Sequence, residues 1–430
     1  MKILFKNIAL LYENGQTATD MNLVVEDKVI SYIGKNLPEG NFDRVIDGCE
    51  KLLAPGFYNC HTHTPMTLFR GYAENLPLSR WLHEKSFPAE DRLYPEAVYA
   101  ATMLSAAEMI KNGTVSFSDM YFFCDDIIQA TAESGLKANI SRSTVAFDPA
   151  ISAESDERFK ESVRLYENYH NSFDGRIKMD MSIHAEYSTV PASCRYISDY
   201  ALENGLSLHI HLSETASEHQ SCIEKYGVTP TQFFAQNGGF RVPVIAAHCV
   251  HLTDNDMEIM AEHGATVVHN PASNLKLGSG IARLKALKDH KINVTLGTDG
   301  AASNNTLDIM KEAYLAAILQ KGATGETDAM QSSEFIRMLT VNGAKAQGRA
   351  DCGKLSVGAR ADLVMLDMGM IHSLPIYDYC DSFLYSANAS NVVMTMVDGK
   401  VLYENGEYKT LDIEKIKYNF LNVTKNYFNS

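Results

Sequence analysis

The chain reads as an α/β protein: a (β/α)8 TIM-type barrel with a small composite β-sandwich domain built from both chain ends. Three observations predict this. Eight short apolar runs lie near 52–58, 114–118, 137–144, 177–183, 206–211, 244–248, 265–269 and 293–298, and helical patterns separate most of them, as parallel strands with helical crossovers require. The first 55 residues and the last 75 look instead like short strands and turns. His61, His63, His211, His248 and Asp299 fall at the ends of apolar runs, where a barrel carries its chemistry.

Taken in order, Asn22 to Ile30 has Asp27 at a turn between β-branched flanks. The run at 52–58 leads into Pro55-Gly56-Phe57-Tyr58-Asn59-Cys60-His61-Thr62-His63. Ala97 to Ile110 and Glu157 to Tyr169 space apolar residues three and four apart, the helical period. Ala361 to Leu366 and Val392 to Val397 are strand-like, and Asp398-Gly399 signals a hairpin that returns through Val401-Leu402-Tyr403. The expected units are residues 1–55 and 351–430 as two parts of one β domain, and 56–350 as the barrel.

The 430 residues, 45% hydrophobic and 21% charged, supply a core of useful size. A net charge of -15 without a basic stripe disfavours nucleic acid. The eight cysteines (Cys49, Cys60, Cys124, Cys194, Cys222, Cys249, Cys352 and Cys380) form no C-x-x-C pair and read as scattered buried thiols of a reducing compartment. The apolar run at Met1 to Asn7 breaks too early for a signal peptide, and no stretch of about 18 apolar residues exists. A cytoplasmic protein with no membrane partner is expected.

On an extended strand residues i and i+2 share a side, so His61 and His63 can face one ion. Neutral imidazoles plus one carboxylate suit a borderline divalent ion, Zn²⁺ ahead of Fe²⁺ or Co²⁺. The expected ligands are His61, His63, His211 and Asp299. His209 shares its strand face with His211 and stands beside it as an alternative ligand, a supporting group or a core histidine. Bound Zn²⁺ lowers the pKa of water towards roughly 7 and so makes a nucleophile of it. Asp299 can touch the metal and take the water's proton. His248 is placed to hydrogen-bond the nucleophile or a developing oxyanion, with His251 competing for that place. Glu214, just past His211, is placed to shuttle a proton, a role worth typically about 10²–10⁴-fold; a salt-bridged loop carboxylate is the alternative. His83, His170, His219, His263 and His290 read as surface residues. The fourth run ends Met179-Asp180-Met181-Ser182-Ile183-His184 without a lysine to bridge a second ion, which favours one metal.

With these residues the chain resembles the amidohydrolase superfamily, and more narrowly the 5′-methylthioadenosine/S-adenosylhomocysteine deaminases. The carriers are Pro55 through Met66, Arg70-Gly71, Pro88-Ala89-Glu90-Asp91-Arg92, His209 through Thr215, Ala246 through His251, His269 through Gly278, and Gly297 through Asn305. The resemblance implies that His211, three residues before Glu214, is the ligand rather than His209. It also implies that Glu90 binds the ribose hydroxyls, His184 contacts the nucleoside, and Arg142 faces the homocysteine carboxylate, with Arg158 as a second such arginine. A carboxylate accepts two hydrogen bonds from a cis-diol, and a guanidinium fork suits a carboxylate. The competing readings are an ion pair with Arg92 for Glu90, a helix-surface position for Arg158, and plain turn chemistry for Asn274 and Lys276.

The implied activity is a metal-dependent hydrolytic deaminase acting on the adenine ring of S-adenosylhomocysteine, 5′-methylthioadenosine or adenosine, and relatives suggest a homo-oligomer. Two rivals stand beside it: a related hydrolase of guanine, pterin or s-triazine rings, and a non-catalytic metal-binding scaffold. Glu90 and Arg142 discriminate the first, because a bare heterocycle has neither diol nor carboxylate.

Overall fold

The structure, a computed structural model, describes residues 1–146 and 152–429. The N-terminal end carries β1 (Lys2–Leu11), β2 (Thr17–Glu26), β3 (Val29–Gly34), β4 (Arg44–Asp47) and β5 (Lys51–Pro55). The middle carries β6 (Phe57–Thr62), β7 (Thr114–Tyr121), β8 (Lys137–Arg142), β9 (Ile177–Met179), β10 (Met181–Ile183), β11 (Leu208–Leu212), β12 (Val244–His248), β13 (Thr266–His269) and β14 (Asn293–Leu296). The C-terminal end adds β15 (Leu363–Asp367), β16 (Val392–Val397), β17 (Lys400–Glu404) and β18 (Glu407–Tyr408).

Strands from the two ends form one nine-stranded sheet, in the order β18-β17-β16-β15-β5-β1-β2-β3 with β4 paired to β1. The seam is β5 against β15, antiparallel from Pro55 opposite Leu363 to Lys51 opposite Asp367. This sheet has a core of its own, in which Ile3, Phe5 and Leu23 from one end meet Leu363, Met365 and Met396 from the other. The turns read from sequence are present: Asp27 and Asp398 are left-handed, at φ 53° and 46°, and Gly399 follows at φ 72°. Such hairpin turns need positive φ, which Asp and Gly adopt most readily.

The barrel consists of β6-β7-β8-β9 and β10-β11-β12-β13-β14, all parallel. β9 and β10 are one stave interrupted at Asp180. The Asp180 N–H donates to the Ile140 carbonyl on β8 (3.0 Å), and the Met181 N–H turns to the Ser207 carbonyl beside β11 (2.9 Å). The ring closes where the Asp299 N–H donates to the His61 carbonyl (2.9 Å) and the Thr298 N–H to Asn59 Oδ1 (3.0 Å). One expectation needs correction. The run at 52–58 is two strands: the chain leaves the outer sheet after Pro55 and enters the barrel at Phe57, and both halves are apolar because both are buried.

The helix Pro95–Lys111 begins with proline in its first turn, where the missing N–H costs nothing. Its burial reaches beyond one stripe, because the last helix, Ile413–Asn429, covers the face away from the barrel. The alanines at 97, 100, 101, 106 and 107 let both neighbours approach closely. The helix Glu157–Tyr169 starts on the Asp156 side chain, which accepts the N–H groups of Arg158 (2.8 Å) and Phe159 (3.4 Å). All eight cysteines are free; seven are buried, but Cys49 is exposed, against the expectation of buried thiols throughout. No helix among the described residues is long and apolar enough to cross a membrane.

Candidate active site

The C-terminal ends of the barrel strands bring the predicted residues together. His61 stands on β6 and His63 just beyond it, His211 on β11, His248 at the end of β12, and Asp299 past β14. His63 Nε2 lies 3.2 Å from Asp299 Oδ1 and 3.5 Å from His211 Nε2, and His61 Nε2 lies 3.5 Å from Asp299 Oδ1. One nitrogen from each of His61, His63 and His211 falls within 4.8 Å of the others, and the same holds for the ligand atoms of His61, His248 and Asp299.

Each imidazole is aimed by the bond its far nitrogen makes. His63 Nδ1–H donates to the Met120 carbonyl (2.7 Å) and His211 Nδ1–H to the His184 carbonyl (2.8 Å). These bonds put the lone pair of each ring on Nε2, facing the cluster. His61 Nδ1 meets His209 Nε2 at 2.9 Å, and its own Nε2 is buried without a hydrogen-bond partner. His209 therefore orients His61 from below instead of facing the cluster. A buried nitrogen of this kind beside two further imidazoles and a carboxylate is the donor set of a divalent cation. His61, His63, His211 and Asp299 fit one such ion.

Asp299 is fixed on both oxygens. Oδ1 accepts the Gly300 N–H (2.8 Å), and Oδ2 accepts the hydroxyls of Ser273 (2.6 Å) and Ser303 (2.9 Å). Burial works to raise its pKa, but the imidazoles of His61 and His63 beside Oδ1 hold it well below the usual carboxylate range. Burial likewise lowers His63, yet the Asp299 carboxylate raises it to about 9, whereas burial pushes His61 down to about 3. The carboxylate thus calls for positive charge at this spot. Two strand-end residues hold left-handed backbone: His248 at φ 73° and Asp299 at φ 60°. Side chains rarely adopt that region, and such strain concentrates where geometry is imposed for function.

Gly297 shows how tightly β14 meets β6. A Cβ there would lie 2.9 Å from both Cβ and the carbonyl oxygen of His61 and would also strike the Asn270 side chain. Gly297→Ala is expected to cost about 1–3 kcal/mol and to move His61 off the cluster. Thermal melting and metal content check this; unchanged values in both would mean that the seam yields freely.

Glu214 is buried beside the cluster, with Oε2 3.8 Å from His248 Nε2 and Oε1 accepting the Ser279 hydroxyl (3.1 Å). Burial raises its pKa. His248 Nδ1–H donates to Asn274 Oδ1 (2.8 Å), which leaves Nε2 free towards Glu214. Glu90 is tied to the Tyr121 hydroxyl (2.7 Å), and no Arg92 pair forms among the described residues; burial pushes it up to about 7. Arg92 lies over the Tyr427 ring instead. His184 packs against His211, with ring centroids 4.8 Å apart, and burial lowers it to about 4. Arg142 lies over Phe122, with Nε donating to Glu161 (2.6 Å). Arg158 stays apart: its side chain is 47% exposed, it pairs with Asp156 (3.6 Å), and among the described residues it makes no contact with the cluster.

Several supports escaped sequence reading. Ser273, Ser303 and Ser279 hold the two carboxylates, and Asn274 holds His248. The available signal was their place in loops that follow barrel strands; serine and asparagine alone say only turn. Lys276 is indeed occupied locally, with Glu74, Asn305 and the Ala302 carbonyl.

A closed barrel with imidazoles, a fixed aspartate and a buried acid at its strand ends defines a metal-dependent hydrolase. Residues 52–402 match the amidohydrolase family, and the chain belongs to it. A 5-methylthioadenosine/S-adenosylhomocysteine deaminase of Acetivibrio thermocellus is 41% identical over 434 residues, 99% of each chain. A 5'-deoxyadenosine deaminase of Methanosarcina acetivorans is 41% identical over 416 residues, 96% of this chain and 95% of that one. The crystal structure of an adenosine deaminase from Xanthomonas campestris with bound zinc matches with a TM-score of 0.93 and 30% identity, covering 100% of this chain and 99% of that one.

Proposed function

We infer that the protein is a metal-dependent deaminase that hydrolyses the exocyclic amine of adenine in S-adenosylhomocysteine, 5′-methylthioadenosine or adenosine, giving the hypoxanthine product and ammonia. The observation that carries this is the buried acid Glu214 beside a cluster fit for one divalent cation. The names of the relatives narrow the substrate to adenine nucleosides.

The cation, Zn²⁺, when bound by His61, His63, His211 and Asp299, lowers the pKa of a water to roughly 7. Glu214, whose carboxyl burial shifts towards the protonated form, gives its proton to the ring nitrogen beside the amine-bearing carbon as that carbon is attacked. Asp299 takes one proton from the attacking water and returns it to the departing amine; as the C–N bond breaks and the carbonyl forms, the water's second proton passes from the new hydroxyl to Glu214 and restores the acid. The two serine bonds of Asp299 hold Oδ2, so its exchange uses the oxygen facing His61 and His63. His248 Nε2, with its ring fixed through Asn274, orients the water and then the new oxygen.

Glu90 receives the ribose diol, and His184 lies against the nucleoside. Arg142 takes a substrate carboxylate in place of part of its Glu161 pairing, and Arg158 is the second arginine only if the substrate tail reaches the start of its helix. Glu90→Gln should raise KM for nucleosides at least tenfold more than for free bases, since one charged hydrogen bond is worth about 1.5–3 kcal/mol. Equal losses on both would remove the ribose assignment and favour a bare-ring substrate.

The same proposal includes a cytoplasmic, self-associating enzyme with units 1–55, 56–350 and 351–430. The sheet seam at Pro55 and Leu363 supports the division, and exposed Tyr418 and Leu421 offer apolar surface for a second copy. Sedimentation shows whether the chain is a monomer, which would end the last point.

A further inference from the structure

Two glutamates behind Glu214 have no part in the chemistry above. Glu186 opens the short turn Glu186–Ser188, two residues past His184. Glu218 is the third residue of the helix Ala216–Tyr226, which begins just past Glu214. The Glu218 carboxylate makes the usual cap bond, with Oε2 accepting the Thr215 N–H (3.2 Å). The same oxygen also accepts the N–H of Glu214 itself (2.8 Å). The peptide that carries the catalytic acid therefore hangs on Glu218.

The remaining oxygens pose a problem of balance. Glu218 Oε1 and both carboxyl oxygens of Glu186 are sealed from solvent, and none has a donor among the described residues. The turn Glu186–Ser188 packs against the helix Ala216–Tyr226, and the two carboxyls act on each other there. Two ionised carboxylates in such contact repel strongly, and among the described residues no buried cation offsets them. The groups that act on the pair are Glu214, Tyr187, Cys222, Cys249 and Lys225. Lys225 lies exposed on the surface of its helix. A single proton resolves the conflict, because it turns one carboxyl into a donor for the other.

We propose that Glu186 and Glu218 share one proton and act as a positioning pair, clamping the loop of Glu214 to the loop of His184. Burial shifts both carboxyls upward; the charge of Glu218 adds to this at Glu186 and the charge of Glu214 at Glu218, while the hydrogen bond from Glu186 works the other way on Glu218, so the pair keeps its proton at neutral pH and loses it on the alkaline side. Once both ionise, repulsion opens the clamp and Glu214 loses its aim. The sign for stability is the same. The folded state holds a proton that the unfolded chain has released, so stability falls as pH rises from the ordinary glutamate range to the raised values.

This inference rests on Glu214 as the proton donor, and the test separates the two. The E186Q carboxamide donates to Glu218 at every pH, whereas E218A removes the anchor of the Glu214 amide. Expected results are a kcat loss of about 10–100-fold in E218A with a smaller change in KM, and an alkaline fall in kcat that is shifted or lost in E186Q. The drop in Tm between pH 6 and pH 9 should also be smaller in E186Q than in wild type. An E186Q variant with the wild-type pH profile and the wild-type drop in Tm overturns the pair. If the wild type deaminates nothing, the proposed function falls, and the Tm comparison still decides whether a proton is shared. If E218A does not fold, E186Q alone settles the matter.

Discussion

Glu214→Gln lowers kcat by about 10²–10⁴-fold, the range expected when a positioned acid is removed, while KM changes little. The carboxamide has nearly the volume of the acid and can still accept the Ser279 hydroxyl, so the pocket keeps its shape. What it lacks is a proton to give to the ring. Burial holds Glu214 above the usual carboxylate range, with His248 pulling the other way. The shift favours the protonated form that the transfer to the ring needs. Ammonia release measured beside metal content checks the loss. A variant with full metal and more than a third of the wild-type kcat would remove Glu214 from the chemistry.

Chelation abolishes activity and Zn²⁺ restores it, and the binding itself carries a proton signature. In the apoprotein His63 is raised to about 9 and is charged at pH 7, whereas His61, lowered to about 3, is already neutral. A cation needs the Nε2 lone pair of both. Metal uptake at pH 7 should therefore expel about one proton, and affinity should climb with pH until about 9. Calorimetry in buffers of different ionisation heat counts that proton. Stability follows the same logic. The His63–Asp299 pair contributes fully below the ordinary histidine value and is lost as pH rises through about 9, so the apoprotein softens across that window. Zn²⁺ at a thousandfold excess over Kd adds about 4 kcal/mol. No expelled proton and no rise in Tm with Zn²⁺ would mean that the ion binds elsewhere.

The legible part of the fold was the part governed by local spacing. All eight barrel staves lie where apolar runs meet helical patterns, and the hairpin at Asp398-Gly399 announced itself by turn chemistry. The split of 51–62 into two strands was illegible, because both halves are buried and an apolar run carries no mark of which sheet it joins. The covering of Pro95–Lys111 by the last helix was hidden for a similar reason: alanine suits a crowded helix and an ordinary one alike.

By itself the sequence determined that His61 and His63 share a side, that His211 and Glu214 leave one strand end together, and that Asp299 ends the last stave. Period-two geometry and strand ends belong to single segments. Only the tertiary structure decided that His209 supports His61, that three serines hold the two acids, and that Glu218 carries the amide of Glu214. Those are choices of direction between lone pairs and donors on different strands, and they exist only once Asp299 has closed the ring against His61.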